Sequence, residues 1–122
     1  MENLKSEIIK LLDEFNKGNK ISSFKKINLL YKKLDSNLEV KKIYADMAVN
    51  INEIDIAIKV YKEILIKQPH NLNCLEKLQS LFLKIGKNTE ALVYSNKVLK
   101  INSNNFIANK CKGFILFEKE DY

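Results

Sequence analysis

The sequence contains no arginine and no tryptophan. All 21 basic residues are lysine, whereas base readout and paired phosphate contacts depend strongly on the forked guanidinium of arginine. The formal net charge of +6 therefore indicates a solvated basic surface, and its composition argues against nucleic acid as a partner.

Glycine, proline and cysteine are also scarce. Three glycines and one proline leave no stretch that resembles a flexible linker, so we expect one domain over residues 1–122. Cys74 and Cys111 lie 37 residues apart, without a CxxC pair and without a cluster around His70, the single histidine. This spacing supports neither a disulfide framework nor a zinc site, so we expect free thiols and no metal or cofactor.

No apolar run reaches the roughly 18 residues that a membrane span requires, and the first residues lack the basic start and apolar core of a secretory signal. The sequence therefore predicts a cytoplasmic protein with no membrane partner. It contains no P-loop, no GxGxxG and no HExxH motif, and His70 has no nucleophile or carboxylate pair beside it. We predict that the chain is not an enzyme.

The sequence does contain a regular helical pattern, because apolar residues recur at intervals of three and four. Ile54 to Val60 also alternate like a strand, but the helical spacing continues to Ile66 and favours a helix. Asn37 and Asn52 are candidate N-caps, and Gly86 is a candidate C-terminal glycine. The pattern predicts seven helices, over residues 4–15, 21–34, 38–51, 54–66, 72–85 and 91–101 and from residue 107 onward.

The chain also resembles itself at a spacing of 34 residues. One copy is marked by Ala57, Tyr61, Leu65 and Pro69. The matching places hold Ser23, Ile27, Tyr31 and Asp35 one period earlier, and Ala91, Ser95, Leu99 and Ser103 one period later. A fixed period of this length predicts stacked repeats, in which each unit buries its apolar face against its neighbours.

These residues resemble the tetratricopeptide repeat, whose 34-residue unit carries W-x2-L-G-x2-Y, then A-x3-F, then P. The second half of that motif fits best in Ala57-x3-Tyr61 followed by Pro69. Ala91 keeps its place in the next unit, but Ser95 stands where the aromatic residue belongs. The first half of the motif falls on Tyr44-Ala45-x2-Ala48, Leu78-Gln79-x2-Phe82 and Lys112-Gly113-x2-Leu116.

The resemblance implies an all-α fold: a right-handed α-solenoid of antiparallel helical hairpins with about three and a half repeats, or seven helices. The units are residues 4–37, 38–71 and 72–105, with a half unit at 106–122. The first unit needs a slip of about one residue near Gly18 to align both of its helices, as is typical of a terminal repeat.

In this family, the first helices of successive repeats line a concave groove that receives a segment of a partner protein. The resemblance therefore implies a protein-interaction module or scaffold, with a protein or peptide as its partner. The residues that it places in the groove are polar, as the solvated face of any helix also is. They are Lys42, Asp46, Asn50, Asn73, Lys77, Ser80 and Lys84.

The last unit has a first helix and no second helix. We expect Phe114, Ile115 and Phe117 to expose apolar surface there, which a second copy of the chain, a partner or further residues would cover. The sequence therefore also predicts assembly, including homo-oligomers, through this C-terminal end.

A further alternative belongs to another functional class. The chain would then be the N-terminal tetratricopeptide region of a larger multidomain enzyme, of the glycosyl- or sulfotransferase type, and would act in recognition or oligomerisation. This alternative comes from analogy with the family and not from residues of this chain.

Overall fold

The computed structural model describes the backbone of residues 2–120 and the side chains of residues 3–115. Helices and turns make up this part of the chain, which contains no strand. The predicted seven helices are confirmed, and Ile54–Val60 is helical. The helices are α1 Glu2–Asn16, α2 Lys20–Lys33, α3 Leu38–Asn50, α4 Ile54–Lys67, α5 Leu72–Lys84, α6 Asn88–Ile101 and α7 Phe106–Glu120.

The helices form two compact units, Met1–Val60 and Tyr61–Tyr122, with the boundary inside α4. In the first unit, α2 packs against both α1 and α3. In the second unit, α6 packs against both α5 and α7, and α5 also contacts α7. One domain over residues 1–122 stays a prediction.

Three turns inside the hairpins repeat at 34 residues in their backbone geometry. Gly18, Asn52 and Gly86 have φ angles of 106°, 66° and 79°, in the left-handed region that commonly ends a helix. Asn52 therefore terminates α3, and the prediction that it caps the next helix is wrong. After each of these residues, the next amide donates to a carbonyl of the preceding helix: Asn19 to Glu14 at 3.0 Å, Glu53 to Ala48 at 2.8 Å and Lys87 to Phe82 at 2.9 Å.

The one-residue slip predicted near Gly18 is also wrong, because Gly18 lies in the same register and makes the same turn as the two later residues. The apparent slip arises from the face that α1 buries. Ile8 is buried in α1, whereas Lys42, which occupies the matching place 34 residues later, is exposed. A helix with a different set of neighbours buries a different face, although the ends of the helix stay at the 34-residue spacing.

The turns between hairpins repeat just as closely. Asn37, Asn71 and Asn105 precede α3, α5 and α7, and each accepts a hydrogen bond through its side-chain oxygen. This confirms the predicted cap at Asn37 and adds two equivalents, which satisfy amides that a helix start leaves unpaired. The donors are the amides of Val40 at 3.0 Å, Cys74 at 3.1 Å and Ala108 at 2.8 Å. By contrast, α6 begins at Asn88 without a side-chain cap.

Small side chains occupy matching places in the second helices of the three hairpins. Ser23 in α2, Ala57 in α4 and Ala91 in α6 are all completely buried. A small side chain lets two helices approach closely, since helix spacing depends on the residues at the contact. A buried small side chain therefore recurs with the sequence period.

In the first unit, aromatic rings fill the space between α2 and α3. The ring of Tyr44 lies 5.1 Å from that of Phe24 and 4.7 Å from that of Tyr31, measured between centroids. The Tyr44 hydroxyl donates to Asn28 Oδ1 at 2.8 Å, so its polar end is satisfied. These contacts make Tyr44 a packing residue.

In the second unit, a buried polar pair replaces the residues that the repeat motif calls for. Gln79 stands at the place of the small residue, Ser95 stands at that of the aromatic residue, and both are fully buried. Ser95 Oγ lies 2.7 Å from Gln79 Oε1 and 2.9 Å from the Ala91 carbonyl oxygen, and it shares its one proton between these acceptors. Gln79 Nε2 is buried without a hydrogen-bond partner. The long glutamine thus fills space that an aromatic ring would take.

Gln79→Met should stabilise the chain by about 1 kcal/mol, because an unpaired buried donor costs more than one neutral hydrogen bond contributes. Methionine has a similar length, and Ser95 Oγ keeps the Ala91 carbonyl as its acceptor. Urea unfolding followed by circular dichroism measures the change. Ser95→Ala, which leaves the Gln79 amide without its bond, should destabilise the chain. A Gln79→Met variant less stable than the parent would show that the amide is satisfied.

Candidate functional site

The predicted groove residues of the first unit lie on α3. Lys42, Asp46 and Asn50 are spaced by four, which places them along one face of the helix. Lys42 and Asn50 are exposed and Asp46 is half-buried. Asn50 Oδ1 accepts a hydrogen bond of 2.8 Å from Lys20 Nζ at the start of α2. A partner that contacts Asn50 would meet this lysine as well.

The predicted groove residues of the second unit lie on α5, where spacings of three and four place them along one side. All four are exposed: Asn73, Lys77, Ser80 and Lys84. The neighbouring carboxylate of Glu76 is half-buried and accepts a hydrogen bond of 3.0 Å from Asn105 Nδ2. The surface of α5 therefore offers cationic and neutral polar groups, and its carboxylate is already engaged within the unit.

The second unit also contains an apolar groove of about 650 Å³ between the end of α5, the turn that follows it, the first residue of α6 and α7. Three of its side chains are more than half exposed: Phe106 at 75%, Ile107 at 53% and Phe114 at 52%. Apolar residues exposed together in one concavity are typical of binding sites. The groove is lined by Leu83, Gly86, Asn88, Phe106, Ile107, Lys110, Cys111 and Phe114.

The predicted assembly surface, formed by Phe114, Ile115 and Phe117, agrees with the structure only in part. Phe114 lines it, but Ile115 is only 1% exposed, so the prediction that Ile115 lies on the open surface is wrong. Ala108, Cys111 and Ile115 are buried at helical spacing, which places Ile115 on the inward face of α7. The side chain of Phe117 lies outside the described residues.

Leu83, Phe106 and Ile107 line the apolar groove, although the sequence did not predict them as site residues. A signal was present, because Ile107 and Phe114 lie seven positions apart and share one face of α7. Phe114 was expected to be exposed, but apolar periodicity alone did not place Ile107 on the same open face, since the pattern does not show which face a neighbouring helix covers.

Lys110 is the one charged residue among those that line the groove. Its ammonium lies 6.0 Å from the centroid of the Phe106 ring, within the range of a cation–π interaction. This contact places a positive charge beside an exposed aromatic ring in the lining of the groove.

Other reactive groups of the described residues do not form a chemical site. Cys74 and Cys111 are buried and form no disulfide, and no set of three His, Cys, Asp or Glu residues is placed to hold a metal ion in this part of the chain. Burial raises the pKa of Tyr94 above its usual value of 10.0, because removal of solvent disfavours the phenolate. Among helices 1 to 7 as described, none is both long and apolar enough to cross a bilayer.

Comparison with solved structures identifies the fold. A tetratricopeptide repeat protein from Parabacteroides merdae ATCC 43184 superposes on 100% of this chain with a TM-score of 0.87 and 21% sequence identity. The chain has a tetratricopeptide-repeat fold. Structures of MamA RS-1, as a double mutant, and of MamA AMB-1 give TM-scores of 0.82 and 0.81 over 95% and 90% of the chain, at 16% and 14% identity. The predicted all-α class is confirmed.

The chain spans 49% of the Parabacteroides merdae protein, 65% of MamA RS-1 and 60% of MamA AMB-1. No family model and no curated protein matches the sequence. In the tetratricopeptide-repeat fold, α1, α3, α5 and α7 are the first helices of their repeats. The predicted polar residues lie on two of them, and the apolar groove of the second unit lies on α5 and α7.

Proposed function

We propose that the chain is a non-enzymatic protein-interaction module that binds a segment of another protein on the first helices of its repeats. The observation that supports this best is the apolar groove of the second unit, with its three large side chains exposed by half or more. Burial of such side chains is favourable by roughly 25 cal/mol per Å² of apolar surface, so a partner that covers the groove would gain binding free energy.

We propose that the exposed polar residues of α5, the helix that carries Leu83 of the groove, orient that partner. Asn73 and Ser80 are exposed groups that can donate and accept hydrogen bonds, and Lys77 adds a cation on the same helix. A protein segment carries amides, carboxylates and apolar side chains together, which matches this mixture. We assign the α5 residues Asn73, Lys77, Ser80 and Lys84, and the α3 residues Lys42, Asp46 and Asn50, to partner binding.

Random-peptide display on the immobilised chain tests this function without a known partner. We expect peptides to be enriched above the blank surface, and Ile107→Asp should weaken their binding by about tenfold or more, as for a central apolar contact. Val93→Asp is the matched control, because Val93 is also exposed and β-branched but lies on α6, away from the lining of the groove.

Thermal melts of both variants must remain close to that of the parent, as exposed positions allow. Failure to enrich any peptide would refute the proposed function. Equal losses for Ile107→Asp and Val93→Asp would refute the assignment of binding to the groove.

A further inference from the structure

We propose that the apolar groove binds an acidic protein segment, in which one or more large apolar side chains enter the groove and carboxylates beside them face Lys110. This inference rests on the proposed function and specifies the chemistry of the partner. It depends on the shape of the groove, on its charge and on the groups that surround it.

The shape of the groove requires bulky apolar side chains. Its volume of about 650 Å³ lies within the roughly 300–1,000 Å³ of typical binding pockets. Leu83, Ile107 and Phe114 supply the apolar lining on both α5 and α7. A wholly polar segment would leave these side chains in water and would gain nothing from the concavity.

The charge around the groove selects acidic residues beside the apolar ones. Lys110 lies in the lining itself, close to the ring of Phe106. In the described part of the chain, the lining contains no acidic residue. Within α5 and residues 106–115 of α7, the one acid is Glu76, whose carboxylate accepts a hydrogen bond from Asn105. Complementary charge raises the rate of encounter and disfavours basic partners.

A protein segment accounts for the site better than a free amphipathic carboxylate does. The apolar groove shares α5 with the exposed polar residues Asn73 and Ser80. These residues can bond the amides of a peptide backbone, which a fatty acid lacks. A second copy of the chain is an alternative occupant, and sedimentation distinguishes it, since a dimer would exceed 14.2 kDa.

The test uses the tightest peptide from the unbiased selection, its twin with every Asp and Glu replaced by Lys, and its twin with the large apolar residues replaced by Ala. Fluorescence anisotropy should show that each twin binds about tenfold more weakly or worse. Lys110→Glu should weaken binding of the parent peptide by about fivefold, because it reverses the charge of the groove. The same variant should bind the lysine-substituted twin more tightly than the unmodified chain does. Lys100→Glu, an equal change on the exposed surface of α6, should preserve the original order.

The outcomes separate this inference from the proposed function. Peptides that bind but are neutral or basic, or that ignore Lys110→Glu, would overturn the inference and leave the interaction module intact. Binding of oleate with displacement of the peptide would reassign the groove to amphipathic carboxylates. A dimer that Ile107→Asp dissolves would show that a second copy covers the groove, and this result would also overturn the inference.

Discussion

Leu78→Ala should lower the free energy of unfolding by about 2–5 kcal/mol, the range found for leucine truncation in well-packed cores. Leu78 is 0% exposed in the middle of α5. The loss has two parts, because the removed methyl groups no longer leave water on folding and the surrounding helices cannot close the cavity completely. Urea unfolding followed by far-ultraviolet circular dichroism provides the measurement.

The matched control is Leu29→Ala on α2, where the leucine side chain is 67% exposed. It removes the same atoms without opening a cavity, so we expect a change within about 0.5 kcal/mol. If both truncations cost the same, the α5 face that carries Leu78 would not be part of the core, and the arrangement of α5 within its unit would be wrong.

Ala57→Phe should destabilise the chain by about 1–3 kcal/mol or more, because a phenyl ring has no room at this contact. Ala57 is completely buried in α4, at the place that Ser23 and Ala91 hold in the neighbouring repeats. The ring can enter only if helices move apart, which removes close contacts along their length. Thermal unfolding and urea unfolding should agree on the direction.

Lys59→Phe is the control for this substitution, since Lys59 is exposed on the same helix two residues later. It introduces the same ring at an exposed site, where the ring can extend into solvent. We therefore expect Lys59→Phe to change stability by much less than Ala57→Phe does. An Ala57→Phe variant as stable as Lys59→Phe would mean that the small residues at this period do not set the helix contacts.

Helix ends were the part of the fold that the sequence determined most completely. Asn37 and Gly86 act through hydrogen bonds and backbone angles that depend on neighbours a few residues away, so local sequence predicts them. Asn52 shows the limit of this reasoning. Asparagine suits both the start of a helix and the left-handed residue after its end, and the choice made here follows from the bonds of the surrounding turn.

Burial was harder to predict than helix position. Ile115 and Phe114 are adjacent and both apolar, yet one is buried and the other lines an open groove. Their difference comes from the face of α7 that packs within its unit, and a periodic pattern does not identify that face by itself. The same reason explains why Ile8 is buried while its counterpart Lys42 is exposed.

The groove could be predicted only in part. Phe114 was expected on an exposed apolar surface, and it lines the groove. The polar residues of α5, which the repeat register assigns to a concave face, are exposed but are not among the residues that line this groove. The exposure of Phe106 and Ile107 was not predicted, because exposed apolar residues have the same periodicity as core residues. Their exposure depends on the space beside α7, which is a property of the folded unit and not of any short segment.

An amide NMR titration of the unmodified chain with the selected acidic peptide tests the binding claim most directly. We predict saturable shifts concentrated at the residues that line the groove, among them Leu83, Ile107, Lys110 and Phe114. Resonances of the exposed face of α6, such as that of Val93, should stay in place. Saturable shifts confined to residues that do not line the groove would contradict the claim that this groove is the binding site.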